Sequence, residues 1–283
     1  MSKIIKFIFF LIILTGGIYL YGTKIEIKNI KVHEYNIKSE KITENFNGFK
    51  IVHVTDIHYG RVFNKQDLKK LINKINNFEP DIVVFTGDLI DKDTKMTTTK
   101  ATKISEELNK ISATNGKYII SGNNDLKFDE WENIITNGGF INLNNNYDTI
   151  YNNGYDFLLL GGVSSLKDKE SIINKNQKTE NFLNSFEKNG PIYKILLMHE
   201  PDYIDQLKNN PYDLVLAGHA MGGTVKIPFI GPVYTKEGAK KYVDGHYKIN
   251  NTDLYVSNGI GLSKYNFRFL NTPSFNIYRL IQK

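Results

Sequence analysis

The chain of 283 residues contains no cysteine. Disulfide bridges, thiolate zinc sites and cysteine nucleophiles are therefore excluded, and any bound metal must be held by His, Asp, Glu or Asn. Arginine is scarce, and the lysines that produce the net charge of +6 are scattered along the chain instead of forming blocks. Because nucleic-acid binding usually needs a concentrated basic surface, we expect no nucleic-acid partner.

One long hydrophobic run is present, over residues 4–21, and Lys3 and Lys6 precede or interrupt its start. A cleaved signal peptide normally ends in small residues, whereas this run ends in the aromatic sequence IYLY, which suits a bilayer interface. The sequence therefore favours an uncleaved anchor over residues 1–22, with a cleaved signal as the alternative. We expect a single-pass protein of the cell membrane whose remaining domain is extracytoplasmic, since no second span returns the chain.

Beyond residue 22 the sequence has no repeat and no Pro/Ser-rich linker. We interpret residues 23–48 as a lead-in strand and linker, and residues 49–283 as one domain. Leu68, Leu71, Ile72, Ile75 and Phe78 recur at helical spacing, and Asn-rich stretches such as NLNNNYDTIYNNGY are typical of turns. Short β-rich runs alternate with such amphipathic stretches, which predicts a mixed α/β sandwich: KIVHVT, DIVVFTG, KYIIS, YDFLLLGG, YKILLMH and DLVLAGH, followed by HYKI, DLYVS and FNIYRLI.

Polar side chains that can bind a metal stand at the ends of five of these runs. A single Asp after Gly, or a single His at a strand end, is usually a turn residue or satisfies a backbone group. Five such ends are more informative together, because loops at the carboxyl ends of strands converge on one crevice. The residues are Asp56 and His58, then Asp88, then Asn123, Asn124 and Asp125, then His199, and finally His219. This oxygen and nitrogen donor set suits Mn²⁺, Fe²⁺ or Zn²⁺.

The order D-x-H, G-D, G-N-x-D, H-E-P-D and G-H-x-x-G-G resembles that of the calcineurin-like metallophosphoesterases, especially their membrane-associated bacterial branch. The resemblance extends from FNGFKIVHVTDIH to VSNGIGLSKYNFRF. It implies a four-layer αββα sandwich that binds two divalent metal ions. By the same resemblance, Asp56 and His58 would bind the first ion, Asp88 would bridge, and Asn123, His199 and His219 would complete the second site.

Two positions depart from the pattern of that family. Met221 stands where the second histidine of G-H-x-H is usual, and a thioether is a weak donor for these metals, so we expect the first site to be the weaker one. Asn124 stands where a histidine usually protonates the leaving group or steadies the transition state. Asparagine cannot deliver a proton, and the loss of general acid catalysis typically costs about 10²- to 10⁴-fold in rate.

The leading interpretation is a membrane-anchored phosphoester hydrolase, a phosphodiesterase or phosphomonoesterase, in which a metal-bound hydroxide attacks phosphorus. The predicted catalytic residues are Asn124 and Asp125. Arg61 and Arg268 are predicted substrate contacts, because a guanidinium can bind two phosphate oxygens at once. We expect the substrate to be a phosphorylated small molecule or a lipid headgroup. The alternative is a degenerate relative that binds metal and a phosphorylated ligand with little or no turnover.

Overall fold

A computed structural model of the chain describes residues 3–166, 171–186, 192–207, 211–262 and 265–283. Residues 1–2 of the predicted anchor and residues 263–264 of the C-terminal motif SNGIGLSKYNFRF lie outside the described residues.

The first helix, α1 (Lys3–Leu20), has no buried residue. At 1.5 Å per residue its 18 residues are about 27 Å long, which is close to the hydrocarbon thickness of about 30 Å. With the helical turns that follow it, the helix is long and apolar enough to cross a membrane, with a mean hydropathy of 2.2 in its most apolar window.

Two six-stranded sheets form the body of the domain. In the first the strand order is β1-β14-β2-β3-β4-β5, and in the second it is β12-β13-β9-β8-β7-β6. The strands are β1 (Lys31–Ser39), β2 (Lys50–Val54), β3 (Ile82–Phe85), β4 (Lys117–Ile119), β5 (Ile141–Asn142), β6 (Asn146–Tyr151), β7 (Phe157–Gly162), β8 (Lys194–Met198), β9 (Leu214–Ala217), β10 (Lys226–Ile227), β11 (Gly231–Pro232), β12 (Gly245–Ile249), β13 (Thr252–Val256) and β14 (Ser274–Gln282). Strands β10 and β11 form a separate hairpin.

In the described part of the chain four more helices flank the sheets: α2 (Lys65–Asn76), α3 (Thr98–Leu108), α4 (Trp131–Asn137) and α5 (Ile172–Phe186). Helix α2 begins with a capping box between Asn64 and Asp67 and buries the first four of the apolar residues predicted from helical spacing. Full burial of each such side chain stabilises the fold by about 1.5–3 kcal/mol. Phe78, the fifth, lies beyond the helix end and packs against the same core.

The four layers are defined by the apolar faces of the sheets and helices that pack against one another. Side chains such as Val84 and Leu216 fill the space between the two sheets. Helices α2, α3 and α4 cover the outer face of the first sheet, and α5 with a 3-10 turn at Pro201–Gln206 covers the second. The predicted four-layer αββα sandwich behind one N-terminal apolar helix is therefore confirmed.

One local prediction is wrong. The Asn-rich stretch that we interpreted as turns contains β6, which pairs with β7 along six residues. Strand β6 is the edge of its sheet, and Ile150 is its one buried residue. A polar edge strand needs little apolar surface, so hydropathy alone does not separate it from a turn.

The sheet topology determines where the site lies. Strands β2, β3 and β4 are parallel in the first sheet, and β7, β8 and β9 are parallel in the second. At the carboxyl edge of the first sheet, the Asp56 amide donates to the Gly87 carbonyl, and at that of the second the Gly218 amide donates to the His199 carbonyl. These bonds join the loops that carry the predicted ligands.

Candidate metal centre

Two groups of buried side chains share Asp88. Asp56, His58 and Asp88 form one group, and Asp88, His199 and His219 form the other; within each group the donor atoms lie within 4.8 Å of one another. The structure thus brings five of the six predicted ligands together in the same two sets that the sequence suggests. Asn123 lies in the loop after β4. The residue that follows it, Asn124, donates its backbone N–H to Asp88 Oδ1 at 2.8 Å.

Four residues of these groups have a left-handed backbone. The φ angles are 52° at Asp56, 48° at His58, 53° at Asp88 and 63° at His219. Such conformations cost a non-glycine residue of the order of 1–2 kcal/mol. The surrounding hydrogen bonds, such as that from the His219 amide to Asp56 Oδ2 at 2.8 Å, hold this strain in place. A strained backbone at several neighbouring polar residues is typical of a functional site.

Two glycines allow the loops to approach the carboxylate. A Cβ atom on Gly122 would lie 2.3 Å from Asp88 Oδ1, and one on Gly87 would lie 2.8 Å from His199 Nδ1. Gly87 also has a φ of +95°, which favours glycine. Alanine at either position would displace the Asp88 carboxylate or the His199 ring. The glycines in FTGD and SGNND are therefore required by the close packing around Asp88.

The imidazoles of His199 and His219 are each oriented by a backbone carbonyl. His199 Nδ1 lies 2.6 Å from the Thr86 carbonyl oxygen, and His219 Nε2 lies 2.9 Å from that of Glu237. Since a carbonyl only accepts, these two nitrogens carry the protons of the neutral rings. The other nitrogens, His199 Nε2 and His219 Nδ1, then face each other at 3.2 Å with their lone pairs. Two facing lone pairs are stable when a cation lies between them, either a proton on His199 or a metal ion.

Three further donor atoms are buried without a hydrogen-bond partner in the described part of the chain: Asp56 Oδ1, His58 Nε2 and Asn123 Oδ1. A buried polar atom with no partner costs about 1–3 kcal/mol. All three belong to predicted ligands, and a metal ion would satisfy them. The donor set therefore fits divalent ions of the kind predicted.

The charges of the cluster are strongly interdependent. Burial raises the pKa of Asp88, but the His199 and His58 imidazoles outweigh burial and hold it well below its usual range. Burial lowers the pKa of His199, but the Asp88 carboxylate outweighs burial and raises it to about 10. At His219 burial dominates, with a contribution from Lys236, and lowers the pKa to about 3. The carboxylates thus require positive charge beside them, which a proton on His199 or a divalent ion supplies.

Asp91 and Lys236 belong to the site but were not predicted from the sequence. Asp91 Oδ2 lies 3.4 Å from His58 Nδ1, on the side of the ring opposite the cluster atom Nε2. A carboxylate behind a ligand histidine fixes the ring and its tautomer. The sequence feature that could have identified Asp91 is the second aspartate of FTGDLID.

No motif identifies Lys236, because this residue comes from a loop far along the chain. Burial raises the pKa of Asp56, but His58 and His199 outweigh burial and lower it, and the Lys236 ammonium lowers it further.

The two predicted catalytic residues occupy different positions. Asn124 Nδ2 donates to Asp88 Oδ2 at 2.7 Å and lies 3.4 Å from His58 Nδ1, so this side chain is at the cluster. Asp125 is fully buried, and its two oxygens accept the amides of Ile90 and Gly122. Burial and the nearby Asp88 raise the pKa of Asp125 to about 7. These contacts make Asp125 a positioning residue for two loops instead of a residue that faces substrate.

The predicted substrate contact at Arg268 is wrong. Its side chain is fully buried, and all five N–H groups of the guanidinium donate to backbone carbonyls, those of Asn258, Gly259, Gly261 and Asn271. No donor is left for a phosphate. Arg268 instead stabilises the loop behind Asp56, where a Cβ on Gly259 would lie 2.8 Å from Asp56 Cβ. Its isolated position in a lysine-rich sequence gave no indication of burial.

Arg61 lies at the rim of the site. Its side chain is one-fifth exposed, donates to Asn266 Oδ1 at 3.1 Å and pairs with Asp93 at 3.4 Å. Its guanidinium also lies 3.9 Å from the Asp91 carboxylate, which itself contacts His58. A contact from Arg61 to substrate stays a prediction.

The chain is similar to proteins of known family. Residues 49–222 match the model of the calcineurin-like phosphoesterases. The uncharacterized metallophosphoesterase YkuE of Bacillus subtilis is 34% identical over 94% of this chain and 90% of its own length. A transmembrane protein with metallophosphoesterase domain of Danio rerio is 27% identical over 88% of this chain and 57% of its own length. The phosphodiesterase YaeI of Escherichia coli is 24% identical over 84% of each. The chain belongs to the calcineurin-like phosphoesterase family.

Proposed function

We propose that the protein hydrolyses phosphoesters with two divalent ions, Mn²⁺, Fe²⁺ or Zn²⁺, held around Asp88. The observation that carries the proposal is the pair of buried groups that share this carboxylate. In the proposal Asp56, His58 and Asp88 hold one ion, and Asp88, Asn123, His199 and His219 hold the other. When bound, such ions activate water for attack and polarise the phosphoryl oxygens.

The residues around the ligands determine their geometry. The Thr86 and Glu237 carbonyls orient His199 and His219, and Asp91 orients His58. The side-chain NH2 group of Asn124 positions the Asp88 carboxylate with one N–H, and its second N–H can donate to a phosphoryl oxygen. The site is thus preorganised before substrate binds, which lowers the cost of reaching the transition state.

We further propose that α1 anchors the protein in the cell membrane as a single span, with the catalytic domain on the extracytoplasmic side. The length and exposure of α1 support the anchor. The Danio rerio relative is itself named a transmembrane protein. The substrate class consistent with this location is a phosphorylated small molecule or a lipid headgroup, and the name of the Escherichia coli relative favours a diester.

The proposal is tested with the full-length chain in detergent. We expect metal analysis to find about two divalent ions per chain, as in two-metal hydrolases, and an activated aryl phosphodiester to be hydrolysed after Mn²⁺ is added. A chelator should abolish the hydrolysis, and restored Mn²⁺ should recover it. A chain that binds no divalent ion would sink the proposal.

The second candidate function is binding without turnover, and the contacts of Asn124 and Met221 favour it. The Asn124 amide is engaged with Asp88, and the Met221 side chain, at the position usual for a ligand histidine, is fully buried. A chain that binds metal and retains a phosphate analogue, but hydrolyses neither activated diesters nor activated monoesters, would favour this candidate.

Lys236 is the cation that we expect to contact the substrate phosphate, in place of Arg268. It is half-buried and makes no ion pair with any described residue. We predict that Lys236→Met lowers kcat/KM for the activated diester about tenfold, because one charge-assisted hydrogen bond contributes about 1.5 kcal/mol or more. Steady-state kinetics of the loaded enzyme measures this change.

The matched control is Lys240→Met, which removes an exposed cation from the same loop. It should leave kcat/KM and metal content unchanged. Equal kinetics for Lys236→Met and wild type would show that Lys236 does not contact the phosphate.

A further inference from the structure

The hairpin of β10 and β11 carries an exposed apolar surface next to the metal centre. We call residues 225–234 the apolar hairpin. Phe229 at its tip is fully exposed, and Ile230 is 76% exposed. Ile227 and Val233 beside them are also exposed. Contiguous apolar surface of this kind is uncommon on a protein surrounded by water and marks an interaction site.

The apolar hairpin is joined to the end of α1 through residues 267–271. Val225 forms a β-bridge with Phe269, and the Lys226 amide donates to the Phe269 carbonyl at 2.9 Å. The Phe269 ring meets the ring of Tyr21 edge-on, with centroids 6.5 Å apart. The Arg268 amide donates to the Gly22 carbonyl at 3.2 Å, so the segment that pairs with the hairpin also packs on the residues that follow α1.

The same segment is joined to the metal centre. The Asn271 side chain donates to the Met221 carbonyl at 2.7 Å, and its backbone amide donates to Glu26 Oε1 at 2.7 Å. A Cβ on Gly223 would lie 2.3 Å from Pro232 of the hairpin. The end of α1, the apolar hairpin and the loop of His219 therefore form one packed unit.

We propose that the apolar hairpin docks into the interface of the bilayer that α1 enters, so that the mouth of the metal centre faces the lipid headgroups. The bilayer is the expected occupant because the packed unit holds the hairpin beside the end of the anchor. Lys24 and Lys28, exposed just after α1, suit anionic headgroups. Apolar side chains of such surfaces enter about 5–10 Å into the headgroup and acyl boundary.

Docking of the apolar hairpin would make a phosphoester in the lipid headgroup layer the substrate, and this consequence rests on the proposed function. The docking itself is measurable without activity. The full-length Phe229→Trp variant is reconstituted into nanodiscs of phosphatidylcholine and phosphatidylglycerol, with and without lipid brominated on its acyl chains. Wild type supplies the background from the buried Trp131. Ile230→Trp is a second probe, and far-UV circular dichroism verifies that each variant is folded.

The control probe is Tyr155→Trp. Tyr155 is also fully exposed, but it lies in the turn before β7, at the end of the sheet opposite the metal centre. We expect brominated lipid to quench the Phe229→Trp emission several-fold more than the Tyr155→Trp emission, together with a blue shift. Equal quenching of the two variants overturns the proposal. A blue shift without quenching also overturns it, because the hairpin would then be covered by protein, such as a second copy of the chain.

Hydrolysis of a water-soluble activated diester is measured on the same nanodiscs. Hydrolysis without selective quenching overturns the docking surface and leaves the proposed function standing. Selective quenching without hydrolysis supports the docking surface while the proposed function fails.

Discussion

Asp88→Asn is expected to lower kcat for an activated phosphodiester by about 10³-fold, the scale of removing a main electrostatic contribution to a transition state. Asp88 is the one residue common to both groups of candidate ligands. The substitution preserves shape but removes the charge that the ions need. It also places an amide opposite Asn124 Nδ2, which donates to this carboxylate at 2.7 Å. Metal analysis should show the loss of most bound ion at both sites.

Two controls separate the bridging role from general damage. Asp91→Asn alters the carboxylate behind His58 and should reduce metal affinity by about 10- to 100-fold, as is usual for a residue that orients a ligand. Asp129→Asn, at an exposed position, should change neither metal content nor rate. If Asp88→Asn kept both ions and wild-type kinetics, Asp88 would not bridge.

The strands around the site could be predicted because they are buried on both faces. Runs such as IVVF and LVLA are apolar throughout, as is typical of strands between two covered faces. Their polar ends gave Asp56, Asp88 and His219 directly. The ends of helices α3, α4 and α5 could not be predicted, because the apolar face of each helix is narrow and most of the other positions are polar. The parallel pairing of β1 with β14 joins distant parts of the chain, and no local pattern encodes it.

The site residues that sequence reasoning misplaced depend on tertiary contacts. The local sequence around Arg268 does not distinguish it from a phosphate-binding arginine. Its burial follows from a loop that folds around it. Asp125 shares a motif with Asn124, yet the backbone turns it toward the Gly122 and Ile90 amides. Lys236 reaches the site from a loop far along the chain. A motif specifies which residue types are present, and the packing of loops decides which of them face the cluster.

Asn124→His combined with Met221→His is expected to raise kcat/KM for an alkyl phosphodiester by about 10²-fold, the lower end of what a general acid contributes. The geometry favours both replacements. Asn124 lies beside Asp88 and His58, so an imidazole at this position would stand next to two of the candidate ligands. Met221 has a φ of 49°, a left-handed conformation that histidine adopts more readily than most residues. The Met221 backbone is held independently, because its carbonyl accepts from Asn271 and Thr224.

The two substitutions act on different steps, so their effects should combine. Met221→His restores the second histidine of the G-H-x-H pattern, which the family resemblance assigns to the first site, and should raise metal occupancy there. Asn124→His supplies a proton donor whose pKa lies near neutral pH, which matters most when the leaving group is a poor one. We therefore expect a large gain for the alkyl ester and a small gain for the activated aryl ester. Wild type, both single variants and the double variant are assayed on both esters at saturating Mn²⁺.

The matched controls are Asn124→Gln and Met221→Leu, which change the side chains without adding an imidazole and should give no gain on either ester. Metal content of every variant shows whether a new histidine fits the buried position of Met221. If wild type hydrolyses the alkyl ester efficiently and the double variant is no better, Asn124 does not replace a lost general acid and the leaving group is protonated by another route. If no variant hydrolyses either ester although both sites are occupied, binding without turnover becomes the better interpretation of the metal centre.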